Sequence, residues 1–130
     1  MRILVPVGDR HLGFKALEVA IEEAKLRGWN LIIVNSLYGG SKTKTEQIKR
    51  AEKLLDEAVK LARENDVDVE KILSVRGKEP GEDIVELADE LRAHLIVMGC
   101  GIIREQFEME LMETTQYVIL HASQPILLVK

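Results

Sequence analysis

The sequence predicts an α/β domain: three layers, with a five-stranded parallel sheet between helices. Short, nearly continuous apolar runs occur at Ile3–Val7, Leu31–Val34, Leu95–Met98 and Ile126–Val129. Runs without polar alternation suit strands covered on both faces. The segments between them carry apolar residues at helical spacing and are long enough for right-handed crossovers. A length of 130 residues with 46% hydrophobic content suits one domain, residues 1–130. At that size roughly two-thirds of the unfolded surface can be buried, so the core needs neither disulfides nor metals.

The elements follow in order. Pro6 removes a ladder donor from the first strand and should lie near its end. After the turn Gly8-Asp9-Arg10, the residues Leu17, Ala20, Ile21 and Ala24 stripe one face of a helix over 12–27, which Gly28 stops. The second strand, Leu31–Val34, leads to the loop Tyr38–Lys42. Thr43-Lys-Thr-Glu46 then reads as a capping box. The helix it opens is striped by Ile48, Ala51, Leu55, Ala58 and Ala62 and ends near Asn65. Val69–Val75, with charged neighbours, reads as an edge strand. Ile84, Leu87, Ala88 and Leu91 stripe a third helix, Leu95–Met98 is the fourth strand, and a fourth helix covers at least 115–122. Pro125 opens the last strand, Ile126–Val129. In such a β-α-β-α-β-α-β-α-β chain, ligands bind beyond the carboxyl ends of the strands where the winding reverses. Here that crevice falls between the loops after strands one and four.

Composition excludes several functions. A net charge of −4, with basic and acidic residues interleaved along the helices, argues against nucleic acid. Five scattered aromatic residues form no base-stacking platform. Cys100 is the only cysteine, which rules out an internal disulfide and a cysteine-based zinc cluster. No apolar run matches a membrane span or signal sequence, so the expectation is a cytosolic chain without membrane contact.

Over essentially its whole length the chain resembles the universal stress protein family. The carriers are Ile3-Leu-Val-Pro-Val7, Lys15-Ala-Leu-Glu18, Ile84-Val-Glu-Leu-Ala88, Leu95-Ile-Val-Met-Gly99 and His121-Ala-Ser-Gln-Pro-Ile-Leu-Leu-Val129. The resemblance implies strand order 3-2-1-4-5, in an adenine nucleotide alpha hydrolase-like fold. It also implies a homodimer paired through the last strand. An exposed, apolar Ile126–Val129 edge gives that dimer a physical rationale, unless a helix covers the edge within the monomer.

The family's ATP-binding branch carries G-x-x-G-(x9)-G-[Ser/Thr] after the fourth strand, a loop whose amides approach phosphates at a helix start. Aligned here without a gap, the first glycine is Gly99, but Ile102, Met112 and Glu113 stand at the other three positions. A carboxylate about 4 Å from a phosphate charge costs on the order of 1 kcal/mol in water and about 4 at a protein surface. Glu105, Glu108 and Glu110 add repulsion, against Arg104 alone. At the opposite wall the family's Asp-Gly is reversed to Gly8-Asp9. Standard ATP binding is therefore not expected. A remnant nucleotide pocket would comprise Val7, Gly8, Asp9, Val34, Gly99 and Gly101.

Residues 102–124 contain neither glycine nor proline, and Phe107, Leu111, Thr114, Val118 and Ala122 keep a helical stripe. These features predict that the last helix extends back to about Arg104–Gln106. The alternative is a short helix capped by Thr114 or Thr115 after an irregular segment. Exposed Ile102, Ile103, Phe107 and Met109 offer a surface for an unidentified protein partner.

Other candidates carry less. His11-Leu-Gly-Phe14 lacks the second histidine of a nucleotidyltransferase H-x-G-H. Gly39-Gly-Ser-Lys-Thr43 lacks the leading glycine and Gly-Lys adjacency of a phosphate loop. Cys100 reads as an inert thiol, His94 as structural, and His121 as a group suited to a helix C-terminus. The sequence shows no metal cluster and no catalytic constellation. The expectation is thus a non-catalytic stress-response protein acting through protein contacts or a remodelled crevice, with no cofactor required. The alternative is a switch that holds ATP or AMP noncanonically.

Overall fold

The computed structural model describes residues 1–105 and 108–130. In chain order the elements are β1 (Arg2–Pro6), α1 (Leu12–Arg27), β2 (Asn30–Leu37), a 3-10 turn (Gly40–Lys42), α2 (Thr45–Glu64), β3 (Val69–Val75), α3 (Pro80–Glu90), β4 (Leu95–Gly99), β5 (Ile102–Glu105), β6 (Glu108–Leu111), α4 (Glu113–His121) and β7 (Ile126–Val129). Five of the strands form a parallel sheet in the order β3-β2-β1-β4-β7, as predicted; β5 and β6 pair separately and antiparallel.

Side chains alternate across the sheet, and both faces are apolar. Ile3, Val5, Leu31, Ile33, Leu95 and Val97 meet the stripes of α1 and α2. Leu4, Ile32, Val34, Ile96 and Met98 meet α3 and Val118 of α4. The alternation explains why these strands read as continuous apolar runs. Gly28 ends α1 in the left-handed region at φ 68°, donating its amide to the Ala24 carbonyl, and Pro6 closes β1.

Three local expectations fail. The last helix does not extend back to Arg104: residues 102–105 and 108–111 form a hairpin, with Ile102 opposite Leu111 and Arg104 opposite Met109. The hairpin is closed at its base by the Met112 amide, 2.8 Å from the Gly101 carbonyl. That closure and the β-branched pair Ile102-Ile103 override a helix propensity that is a weak prior. Gln106 and Phe107, part of the helix and surface expectations, lie outside the described residues.

Thr43 does not cap α2. Its Oγ1 accepts the Gly39 amide at 2.8 Å, and the helix starts after Lys44, whose amide is received by Gln47 Oε1 at 2.7 Å. Finally, β2 continues three residues past Val34, in register with β3 up to Leu37 opposite Val75.

The polar extension of β2 is stabilised by specific partners. Asn35 Nδ2 donates to the Val7 carbonyl at 2.9 Å. Ser36 Oγ donates to Asp83 Oδ2 at 2.6 Å. Asp83 is 1% exposed, and its other oxygen takes Arg76 Nε at 2.7 Å, while Arg76 Nη1 reaches Glu90 at 2.8 Å. The buried Ser74 hydroxyl lies against the same carboxyl without completing a well-formed hydrogen bond. Burial alone would raise the Asp83 pKa. The hydroxyls of Ser36 and Ser74 and the Arg76 guanidinium outweigh it and hold the carboxyl below its ordinary value.

A carboxyl whose folded pKa lies below its unfolded value, about 3.9, adds stability that is present above that pH. The stability is lost as pH falls through the folded value. Arg76→Ala, which leaves a buried carboxylate unpaired, should cost about 2–4 kcal/mol in urea unfolding at pH 7, less than a fully buried pair because Arg76 is partly exposed. Asp83→Asn should flatten the decline in stability below pH 4. Unchanged urea midpoints for Arg76→Ala would contradict this account.

Candidate functional site

The carboxyl ends of β1 and β4 separate over a cavity of about 280 Å3. It is lined by Val7, Gly8, Asp9, Val34, Gly99 and Gly101, so the six residues singled out from the sequence converge on one space. Its volume is at the lower limit for small-molecule sites. Asn35, Ser36, Ile84, Met98, Met112, Thr114 and Thr115 are among the other lining residues. None of these seven was singled out as a pocket residue. Asn35 and Ser36 follow an apolar run directly, and a polar pair continuing such a strand at its carboxyl end was the available signal.

Close contacts require glycine at two of the three positions. A β-carbon on Gly99 would lie 2.8 Å from Leu12 Cβ and 3.1 Å from the Leu12 carbonyl oxygen. Gly99 therefore lets β4 approach the start of α1. A β-carbon on Gly101 would meet the Met112 sulfur at 2.7 Å. Gly8, by contrast, faces open space, with nothing within 4 Å of the equivalent position.

The reversed Gly8-Asp9 order has a structural consequence. Asp9 Oδ1 accepts the Gly13 amide at 3.2 Å, so this carboxylate caps α1. Gly13 itself sits close against Val7, where a β-carbon would be 3.0 Å from Val7 Cγ1.

The loop after β4 differs from a phosphate cradle in where its amides point. Cys100 N–H donates to the Val129 carbonyl at 2.7 Å, and Gly101 N–H donates to Thr115 Oγ1 at 3.3 Å. Met112 N–H is taken by Gly101 O. These donors are spent within the fold. The first turn of α4 begins with Glu113, whose charge complements the positive end of the helix dipole and opposes an incoming anion. Thr114 and Thr115 fall within the helix, not at its cap.

The remaining candidates sit elsewhere. Cys100 is buried at the end of β4. His94 accepts the Arg2 amide through Nδ1 at 3.2 Å, at the amino end of the sheet. His121 stacks on Tyr117 with ring centroids 4.0 Å apart. His11 is the exposed residue preceding α1. Gly40–Lys42 forms a 3-10 turn, with Lys42 Nζ 4.2 Å from the Tyr38 ring centroid. Among the described residues no group of three or more His, Cys, Asp or Glu is placed to hold a metal, and no helix is long and apolar enough to cross a membrane.

An open parallel sheet with its crevice at the switch between β1 and β4 defines a class of small-ligand-binding α/β domains. The universal stress protein family model matches residues 1–130, and the chain belongs to that family. A universal stress protein from Archaeoglobus fulgidus is 39% identical, with 100% of this chain and 98% of that one covered and a TM-score of 0.88. The Archaeoglobus fulgidus universal stress protein in complex with dAMP gives the same identity and coverage and a TM-score of 0.85. A universal stress protein family protein from Arabidopsis thaliana with AMP bound shares the fold alone, at 13% identity, coverage of 100% and 91%, and a TM-score of 0.71. None of the curated proteins compared with the chain matches it.

Proposed function

We propose that this protein is a non-catalytic stress-response regulator that holds an adenine nucleoside monophosphate in the crevice between β1 and β4. The observation that carries this reading is the convergence of Val7, Gly8, Asp9, Val34, Gly99 and Gly101 on one cavity. The 39%-identical relative whose structure contains dAMP supports the ligand class. The amides of Cys100, Gly101 and Met112, which are already bonded within the fold, argue against the ATP loop of the family's nucleotide-binding branch. Among the polar groups lining the crevice, Asp9 accepts the Gly13 amide of α1 and the Ser36 hydroxyl is bound to Asp83.

The exposed side chains Ile103 and Met109 on the β5–β6 hairpin provide a surface for protein contact. At the other edge, β7 is the outermost strand beside β4, with Ile126, Leu127 and Val129 half-buried and Leu128 exposed. An apolar outer strand supports pairing with a second copy. Sedimentation equilibrium should give a dimer mass, and a monomer at tens of micromolar would overturn that part of the reading.

Calorimetric titration with AMP should show saturable binding. Gly8→Leu places a side chain into open space at the crevice and should weaken AMP at least tenfold, with stability unchanged within about 0.5 kcal/mol. No heat from AMP with the unmodified protein, or full affinity in Gly8→Leu, would overturn the assignment.

A further inference from the structure

Across the β1–α1 loop from the crevice lies a second cavity of about 550 Å3, bounded by the end of β2 and the first turns of α2. The two share Gly8, Asp9 and Asn35 as lining, so they open over the same residues. Their chemistry differs. Both are mainly apolar, but no basic side chain among the described residues lines the crevice, whereas the second space is lined by Arg10, Arg50 and Lys53. In a chain with a net charge of −4, three cations around one cavity are a local reversal of sign.

The charges facing the space can be weighed one by one. Arg10 is paired with Glu57, with Nη2 2.7 Å from Oε1, so that pair contributes little net field. Arg50 and Lys53 form no ion pair among the described residues, although Lys53 adds favourable charge beside Glu57. Asp9, the one carboxylate lining the space, is bound to the Gly13 amide at the positive start of α1. Gln47 has its side-chain oxygen engaged by the Lys44 amide. Two cations one turn apart on α2 therefore remain available to an anion.

At the opposite end of the crevice no basic side chain among the described residues lines the wall. The Gly101 amide is taken by Thr115, the Met112 side chain lies against Gly101, and Glu113 occupies the first turn of α4. A phosphate placed there meets no lining cation among the described residues, while one placed across Gly8-Asp9 meets Arg50 and Lys53. Resting on the nucleotide reading above, we propose that the bound nucleotide directs its phosphate into the basic groove of Arg50 and Lys53, away from the loop after β4. The apolar crevice then holds the nucleoside, and the two cavities act as one elongated site for a phosphate monoester of a nucleoside.

Calorimetric titration of AMP and of adenosine into the full chain tests this, alongside the double variant Arg50→Ala/Lys53→Ala. The unmodified protein should bind AMP at least tenfold more tightly than adenosine. The double variant should lose that advantage while its adenosine affinity stays within twofold. Lys25→Ala/Lys60→Ala, which removes the same charge elsewhere, should leave AMP within twofold. An AMP advantage that survives Arg50→Ala/Lys53→Ala, or equal affinity for AMP and adenosine in the unmodified protein, overturns the groove and leaves the crevice reading intact. Failure of both compounds to bind the unmodified protein overturns the two together.

Discussion

Burial of β1 and β4 on both faces is the constraint from which the rest of this domain follows. Ile3, Leu4, Val5, Ile96 and Val97 are fully buried, so helices must cover both sides of the sheet. Placing α1 and α2 on one face and α3 and α4 on the other forces the winding to reverse between β1 and β4. The crevice is the geometric residue of that reversal. Gly99 sets its floor by letting β4 approach the start of α1, and the Asp83–Ser36–Arg76 cluster fixes its far wall.

Function diverges where that geometry leaves freedom, in the chain between β4 and α4. A phosphate loop requires backbone amides left unpaired until a ligand arrives. Here the same chain length closes a hairpin, and the amides of Cys100, Gly101 and Met112 find partners inside the protein. Closing the loop engages these three amides within the domain. The positive charge that an anionic ligand would need lies instead at the other rim, on α2.

The fold was legible because its signals were redundant. Both faces of the central strands are apolar, the helices are striped, and Gly28 marks the end of α1 at the expected place. Five of the six pocket candidates were legible because topology places the residues at and beyond the carboxyl ends of β1 and β4 together, and the sixth, Val34, ends the apolar run of the second strand. What could not be read depended on partners distant in sequence. Asn35 and Ser36 extend β2 because Val7 and Asp83 receive their hydrogen bonds. Thr43 closes a loop instead of capping a helix because Gly39 lies within its reach. The β5–β6 segment has a helical composition, but the register from Ile102–Leu111 to Glu105–Glu108 and the Gly101–Met112 closure select the hairpin. Arg50 and Lys53 sit on a helix rich in both charges, where nothing local separates a solvated lysine from one facing a cavity.

The central claim is that the crevice, and not the segment that replaced the phosphate loop, receives the nucleotide. Amide chemical shifts recorded by nuclear magnetic resonance during an AMP titration test it most directly. The account predicts the largest shifts at Val7, Gly8, Asp9, Asn35 and Gly99, with Ile103, Arg104, Met109 and Glu110 unmoved. Largest shifts along β5 and β6, with the ends of β1 and β2 unmoved, would contradict it.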